Sequence, residues 1–273
     1  MPILSYMNRI VEPYTRLAAV YDAAWSDFCA SYIGVIEEYI DPANSRVLDL
    51  ACGTGELLRL FAAYPGASLP AGAPPPAAVP RLAGVDLSPR MVAIARRKLP
   101  GIPIIAGDVR EVRLNRRFDL VTCTHDALNY LADTDDLARL VKTARLHLRP
   151  GGLFAFDFNT PAAYAAFHNR PRTTLTVAGA VTQTTTYEAT TRTATTRFSF
   201  ADGSVEEHRQ HAFTQDEVFS ALEDFGFGDL DEYDVDEFAA PDDGSDSDRN
   251  PEGKPGTVVW VARVDESEAG RYV

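Results

Sequence analysis

The chain has 273 residues, is 45% hydrophobic and carries a formal net charge of −13. That length holds one large domain, or a domain with an appended lobe. The acidic balance argues against nucleic acid as a partner, and with no apolar run of ~18 residues no membrane span is expected.

Residues 9 to 40 carry two helical patterns. The first, RLAAVYD at 16 to 22, sets Leu17, Val20 and Tyr21 on one side. The second, DFCASYIGVIEEYI, places Phe28, Tyr32, Ile36 and Tyr39 at helical spacing, mostly as core. Residues 47 to 58, VLDLACGTGELL, then predict a buried strand, a small-residue turn and a helix N-terminus. Asp49 lies at the carboxyl end of that strand. Gly53 and Gly55 leave no Cβ where a ligand would lie against the backbone. Residues 65 to 80, PGASLPAGAPPPAAVP, have nothing large to bury and predict a floppy surface loop. Residues 82 to 95 give a second strand ending in Asp86, then an N-cap Ser88 and Pro89 at the first helical position. An acid at that tip suits a ribose diol, whose two hydroxyls donate to two carboxylate oxygens.

A third strand, 104 to 109, ends in Asp108, and a fourth, 118 to 123, runs into THDALNYL. A helix follows from the N-cap Asp133, with Asp136 at N3. Its buried stripe is Leu137, Leu140, Val141, Ala144 and Leu148, and it is expected to end at Pro150-Gly151. A fifth strand comes next. From Arg172 to Phe213 the period changes to two, rich in Thr, Val, Tyr and Phe. Three or four antiparallel strands are expected there, turning at Ala178-Gly179 and at Ala201-Asp202-Gly203-Ser204. Thr214 to Phe225 predict a helix with a Thr214/Glu217 capping box. Residues 229 to 236 and 257 to 264 form the last strand pair. The acid-rich run within 229 to 248 predicts a solvated loop rather than a partner site.

The D-x-A-C-G-T-G stretch, the strand ends at Asp86 and Asp108, the fourth strand with THDALNYL, and LRPGGLFAFDFNT stand in the order of one family. Over residues 14 to 160 the chain resembles the class I S-adenosylmethionine (SAM) methyltransferases, small-molecule branch. The layout is similar to glycine and amino-sugar N-methyltransferases. The resemblance implies an α/β fold: a Rossmann-like seven-stranded sheet, order 3-2-1-4-5-7-6 with strand 7 antiparallel, and helices on both faces. Residues 1–171 would hold N-terminal helices and the SAM core, and 172–213 a β insertion acting as lid, acceptor site or homodimer contact. Residues 214–273 would return to the core.

The same resemblance implies the SAM contacts. These are Asp49, Ala51, Cys52, Gly53 and Gly55 in the first turn; Asp86, Leu87 and Met91; Asp108 and Val109, with Asp108 on the adenine amino group; and Thr124. Tyr14 and Tyr21 would close over the methionine part. Methyl transfer to an amine nitrogen or hydroxyl of a small molecule, in bacterial secondary metabolism, is the expected reaction. A nicotinamide-dependent oxidoreductase is the alternative, and Leu58, where a third glycine should stand, speaks against it. A SAM-binding module without catalysis is the other.

The enzyme mainly supplies alignment for such a transfer, and a base helps a hydroxyl more than an amine. The catalytic candidates are His125, whose imidazole titrates near working pH, with Asp126 and Tyr187. Tyr130, Asn159, Glu206, His208 and His211 are further candidates. His208 and His211 are three apart on a strand, so at most one of them faces the pocket. Cys29, Cys52 and Cys123 lack disulfide or metal spacing, no metal is expected, and no leader is apparent. A cytoplasmic location is expected.

Overall fold

The computed structural model describes residues 10–26, 28–67, 81–176, 178–234 and 258–265. Most of the proline-rich loop and the acidic run beyond Asp234 lie outside the described residues.

The chain opens with a two-residue strand, β1 (Ile10–Val11), and a 3-10 turn at Leu17–Ala19. Helices α1 (Tyr21–Trp25) and α2 (Phe28–Ile36) follow. The helical pattern read from residue 9 is thus broken at its start, because Ile10 and Val11 pair with a distant strand instead. Next come β2 (Val47–Leu50), α3 (Glu56–Ala63), β3 (Leu82–Asp86), α4 (Pro89–Lys98), β4 (Ile104–Ala106) and β5 (Phe118–Cys123). A short 3-10 turn at Ala127–Tyr130 leads to α5 (Thr134–His147), β6 (Leu148–Asp157) and α6 (Pro161–Phe167). Four strands then run in succession: β7 (Arg172–Thr176), β8 (Gly179–Glu188), β9 (Thr193–Phe200) and β10 (Val205–His211). The last elements are α7 (Gln215–Asp224), β11 (Phe227–Asp234) and β12 (Val258–Val264).

Seven strands form the main sheet in the order β4-β3-β2-β5-β6-β12-β11. Counted along the core, this is 3-2-1-4-5-7-6. The strand β12 runs antiparallel to both neighbours, and the others pair in parallel. β2 and β3 are buried along their whole length, as strands covered on both faces must be. On one face α5 and α7 bury Leu137, Leu140, Val141, Val218 and Leu222 against Phe118, Phe154 and Trp260. On the other, α2, α3 and α4 bury Tyr32, Val35, Leu58, Phe61 and Val92 against Val47, Leu120 and Val261.

α5 starts where its N-cap dictates, with Asp133 accepting from the Asp136 amide. It ends at His147 rather than at Pro150, because Leu148 already turns extended and pairs with Phe118 of β5.

The second sheet is β1-β10-β9-β8-β7, with β1 added in parallel to an antiparallel four-strand meander. Gly179 and Gly203 turn it, at φ +105 and +81, a region that favours glycine. Leu17 and Val20 of the N-terminal segment pack on Val181 and Phe198 of this sheet.

One joint fastens the two sheets. Glu217 of α7 completes the capping box with Thr214 and receives both guanidinium nitrogens of Arg192, from the β8–β9 turn, at 2.6 and 2.8 Å. The Arg192 hydrogen bonds hold the Glu217 carboxyl down to about 2. Glu217→Ala should cost about 1–3 kcal/mol, a cap plus charge-assisted bonds, read as a lowered denaturation midpoint. A carboxyl with a depressed pKa stabilises above its unfolded value near 4.5, so this joint is lost as pH falls from there toward 2. An unchanged acid denaturation curve in the variant would contradict it.

Candidate active site

The carboxyl ends of β2, β3, β5 and β6 meet beneath the small sheet, and each ends in an acid or leads into one. Asp49 of β2 is 3% exposed and accepts from Thr122 Oγ1 at 2.7 Å. Burial pushes its carboxyl up to about 7. After Leu50 the backbone turns through left-handed conformations at Ala51, Gly53 and Gly55, with φ +59, +52 and +78. Gly55 allows close packing: a Cβ there would stand 2.7 Å from Leu99 Cδ1. Gly53 differs, since a Cβ on it would meet no atom within 4 Å. It faces open space over the sheet edge.

Asp86, at the tip of β3, is buried, and its carboxyl is raised by that burial. Its two oxygens accept the amides of Gly53 and Ser88, both at 2.8 Å. The acid therefore fixes the glycine turn and the start of α4 together. Leu87, next along, is 69% exposed beside this turn. Met91 is buried under it. Asp108 is gripped by Arg110 through its backbone amide and guanidinium, which holds its carboxyl below the usual range. Arg110 also reaches Asp136 at 2.5 Å, so Asp108 stands in an ion-pair network. Val109 packs at the edge of the core.

Beyond β5, Thr124 is buried, and His125 and Asp126 both take left-handed backbone, φ +61 and +51. Asp157 at the end of β6 holds them there, accepting the amides of His125 and Asp126 at 2.7 and 2.5 Å. The hydroxyl of Tyr32 donates to the same carboxylate. Two successive residues in a costly conformation, over-determined by one buried acid, mark a built functional turn. Asp126 Oδ2 accepts the side-chain amides of Asn159 at 3.1 Å and Gln210 at 3.0 Å. Burial and the neighbouring Asp157 push its carboxyl up to about 7. The His125 ring turns instead toward α2, with Nε2 3.3 Å from Cys29 Sγ and the Tyr32 ring at 5.3 Å. Burial lowers its pKa to about 4.

The N-terminal segment covers the site. Tyr14 and Tyr21 lie 6.1 Å apart, centroid to centroid, and Tyr14 sits 5.8 Å from Tyr130. The segment is latched to the glycine turn: Lys98 of α4 reaches Asp22 of α1 at 2.6 Å, Thr54 at 3.2 Å and Glu56 at 3.0 Å. Thr54 donates to Asp22 as well.

Tyr14, Tyr21, Tyr130, His125, Asp126 and Asn159 thus gather with the buried acids. Two expected residues do not. Tyr187 stacks on Tyr164 at 6.0 Å within a separate cluster containing Ala194 and Ala212. His211 packs on Phe213. The strand alternation of β10 holds: Glu206, His208 and Gln210 are buried on one face, and Arg209 is exposed on the other. Asp157, Gln210, Asp22, Thr54 and Lys98 were not anticipated. Two of them had a sequence signal: Thr54 stands inside the D-x-A-C-G-T-G stretch, and Asp157 is an acid ending the apolar run FAF like those at Asp49 and Asp86.

This arrangement fits SAM. The open space above Gly53 admits a ligand against bare backbone, Asp86 retains lone pairs for hydroxyls, and exposed Leu87 offers an apolar face to a base. Asp49, Asp86, Asp126 and Asp157 line the site with carboxyls whose burial raises them, and a bound sulfonium or ammonium favours their ionised form. Asp86→Ala should weaken SAM by about 1.5–3 kcal/mol by calorimetry, the loss of charge-assisted hydrogen bonds. An equal loss for an analogue lacking both ribose hydroxyls would show that Asp86 does not touch them.

Residues 47–152 match the family model described as a methyltransferase domain. The chain is 28% identical over 242 residues to a dTDP-4-amino-2,3,4,6-tetradeoxy-D-glucose N,N-dimethyltransferase of Saccharopolyspora spinosa, across 81% of this chain and 92% of that one. It is 35% identical over 116 residues to a dTDP-3-amino-3,4,6-trideoxy-alpha-D-glucopyranose N,N-dimethyltransferase of Streptomyces venezuelae, spanning 42% of this chain and 43% of that one. A SAM-dependent methyltransferase from Clostridium acetobutylicum shares the fold at a TM-score of 0.67 and 23% identity, covering 92% of this chain and 99% of that one.

Proposed function

We propose that this chain, which belongs to the class I SAM-dependent methyltransferases, delivers its methyl group to the amino nitrogen of a deoxyamino sugar carried on a nucleotide. Asp126 carries the reading. Its carboxyl lies half-buried beyond β5, held by two side-chain amides and close enough to the covering tyrosines to act on them by its charge. A neutral pocket would serve a hydroxyl acceptor as well. A half-buried acid attracts an amine and orients it. The names of the two relatives above, both amino-sugar N,N-dimethyltransferases, support the same class.

SAM supplies an electrophilic methyl carbon on a good leaving group. The chain's own residues do the rest. The Gly53 turn and Asp86 receive the cosubstrate, and Tyr21 with α1 excludes water from above. Asp126 accepts a hydrogen bond from the acceptor nitrogen and sets the direction of its lone pair. Most of the acceleration then comes from alignment. His125, turned toward Cys29 and a weak base when buried, shapes the wall under α2.

The test is turnover with SAM on dTDP-linked deoxy sugars that bear either an amino or a hydroxyl group at the same carbon. The amino series is expected to gain one or two methyl groups by mass, and the hydroxyl series none. Methylation of the hydroxyl series alone would overturn the reading.

A further inference from the structure

The mechanism so far leaves a buried acid and a buried histidine unused. Glu206 and His208 on β10 have side chains 0% and 1% exposed, and they face the site from the small sheet. Glu206 is saturated with donors. Its Oε1 accepts the amide of Tyr14 at 2.5 Å and His208 Nε2 at 2.8 Å. Its Oε2 accepts the amides of Arg16 at 2.7 Å and Leu17 at 3.2 Å. A carboxylate with four donors is an acceptor only, so His208 must carry its hydrogen on Nε2. In the tautomer with its hydrogen on Nε2, the imidazole presents Nδ1 as an acceptor. The hydroxyl of Tyr130 lies 2.5 Å from that nitrogen and donates to it. Tyr130 in turn accepts the hydroxyl of Tyr14 at 2.9 Å. Every hydrogen in the chain is therefore directed: Tyr14 to Tyr130, Tyr130 to His208, His208 to Glu206. Among the described residues the Tyr14 oxygen donates to Tyr130 and accepts from no other group, so it keeps a lone pair. Tyr14 itself holds a left-handed backbone, φ +60, with its amide fixed by the same Glu206.

We propose that Glu206, His208 and Tyr130 form a proton relay that positions Tyr14 and carries away the proton leaving the acceptor nitrogen. This rests on the amine reading above. The nitrogen–hydrogen bond of the acceptor ammonium breaks, and the electron pair stays on nitrogen for the attack. That proton bonds to the Tyr14 oxygen, the Tyr14 proton passes to Tyr130, and the Tyr130 proton bonds to His208 Nδ1. His208 ends as an imidazolium facing the Glu206 carboxylate, and the proton returns along the same chain once product has left. The imidazolium forms directly against a carboxylate, as the buried pair Glu206 and His208 requires.

The titratable groups around His208 are few. Glu206 faces it from its own strand, Tyr14 from the N-terminal segment and Tyr130 from the turn beyond β5. The neighbouring strand β9 presents Phe198, whose ring is 4.9 Å away, and Thr196 opposite in register, neither of which titrates. Asp126 acts on both tyrosines through its charge. Burial would raise the Glu206 carboxyl, but the hydrogen bonds from His208, Arg16 and Leu17 hold it below the usual range.

Two measurements test the relay. Nitrogen-15 spectra of the whole enzyme with SAM and no acceptor should show His208 as the Nε2–H tautomer at neutral pH. The Nδ1–H tautomer would overturn the proposal. His208→Gln keeps a donor for Glu206 and an acceptor for Tyr130 but cannot take up a proton. It should bind SAM as the wild type does and lose about 100-fold in kcat/KM at neutral pH. The loss should vanish at alkaline pH, where the amine arrives already neutral. A merely structural role would lower melting temperature or raise KM without moving the pH profile, and a profile superimposable on that of the wild type would overturn the relay. Should His208→Gln not fold, the tautomer of the unaltered enzyme decides. Wild-type turnover of hydroxyl acceptors alone would remove the amine reading, while the tautomer and the His208→Gln profile on those acceptors would still judge the relay.

Discussion

Gly53→Val should abolish measurable SAM binding while leaving the fold in place, with calorimetric Kd raised about 100-fold or more, equivalent to ~2.7 kcal/mol. Two observations set this expectation. A Cβ on Gly53 meets no protein atom within 4 Å, so the new side chain displaces ligand rather than core. The φ of +52 adds strain of about 1–3 kcal/mol, as for other residues forced into this region, enough to lower the melting temperature and not enough to unfold a domain of this size. Gly55→Val provides the contrast. Its Cβ would press on Leu99 and Ala95, so it should destabilise the protein itself. Unchanged SAM affinity in folded Gly53→Val would remove the glycine turn from the site.

Asp126→Ala should lower kcat/KM for an amino acceptor about 100-fold, with SAM affinity nearly unchanged. Misplacing a reacting group by about an ångström costs this much. The substitution also leaves Asn159 and Gln210 with amides aimed at nothing, which compounds the loss at the acceptor and not at SAM. Asp126→Asn keeps the shape but replaces an acceptor oxygen with a donor facing those same amides. It should behave like the alanine variant. Equal effects on SAM and on the acceptor would place Asp126 in the cosubstrate pocket instead.

The core was legible because its signals are local. A strand buried on both faces reads as VLDL, with Asp49 at its tip, and an N-cap reads as Ser88-Pro89 whatever else surrounds it. The Thr214/Glu217 capping box was equally local. The end of α5 was not, since Leu148 leaves the helix only because Phe118 pairs with it. The same holds for β1, where two residues carry no period of their own and pair with Val205 and Glu206 far along the chain. The acceptor side was the least legible. Tyr14 and Glu206 meet across 192 positions, and Gln210 and Asp126 across 84. No spacing rule covers such contacts, so alternation on β10 told which residues share a face and not what that face meets. Imidazole chemistry alone favoured His125, and nothing in the sequence told that its Nε2 would lie 3.3 Å from Cys29 Sγ on α2.

Methyl transfer to nitrogen is read most directly by supplying SAM labelled with carbon-13 in its methyl group, together with a dTDP-linked amino deoxy sugar, and recording the carbon spectrum of the product. The label is expected as an N-methyl carbon, correlated with the sugar proton on the amine-bearing carbon. A label found as an O-methyl or C-methyl carbon, or remaining on SAM with every amino sugar offered, would contradict it.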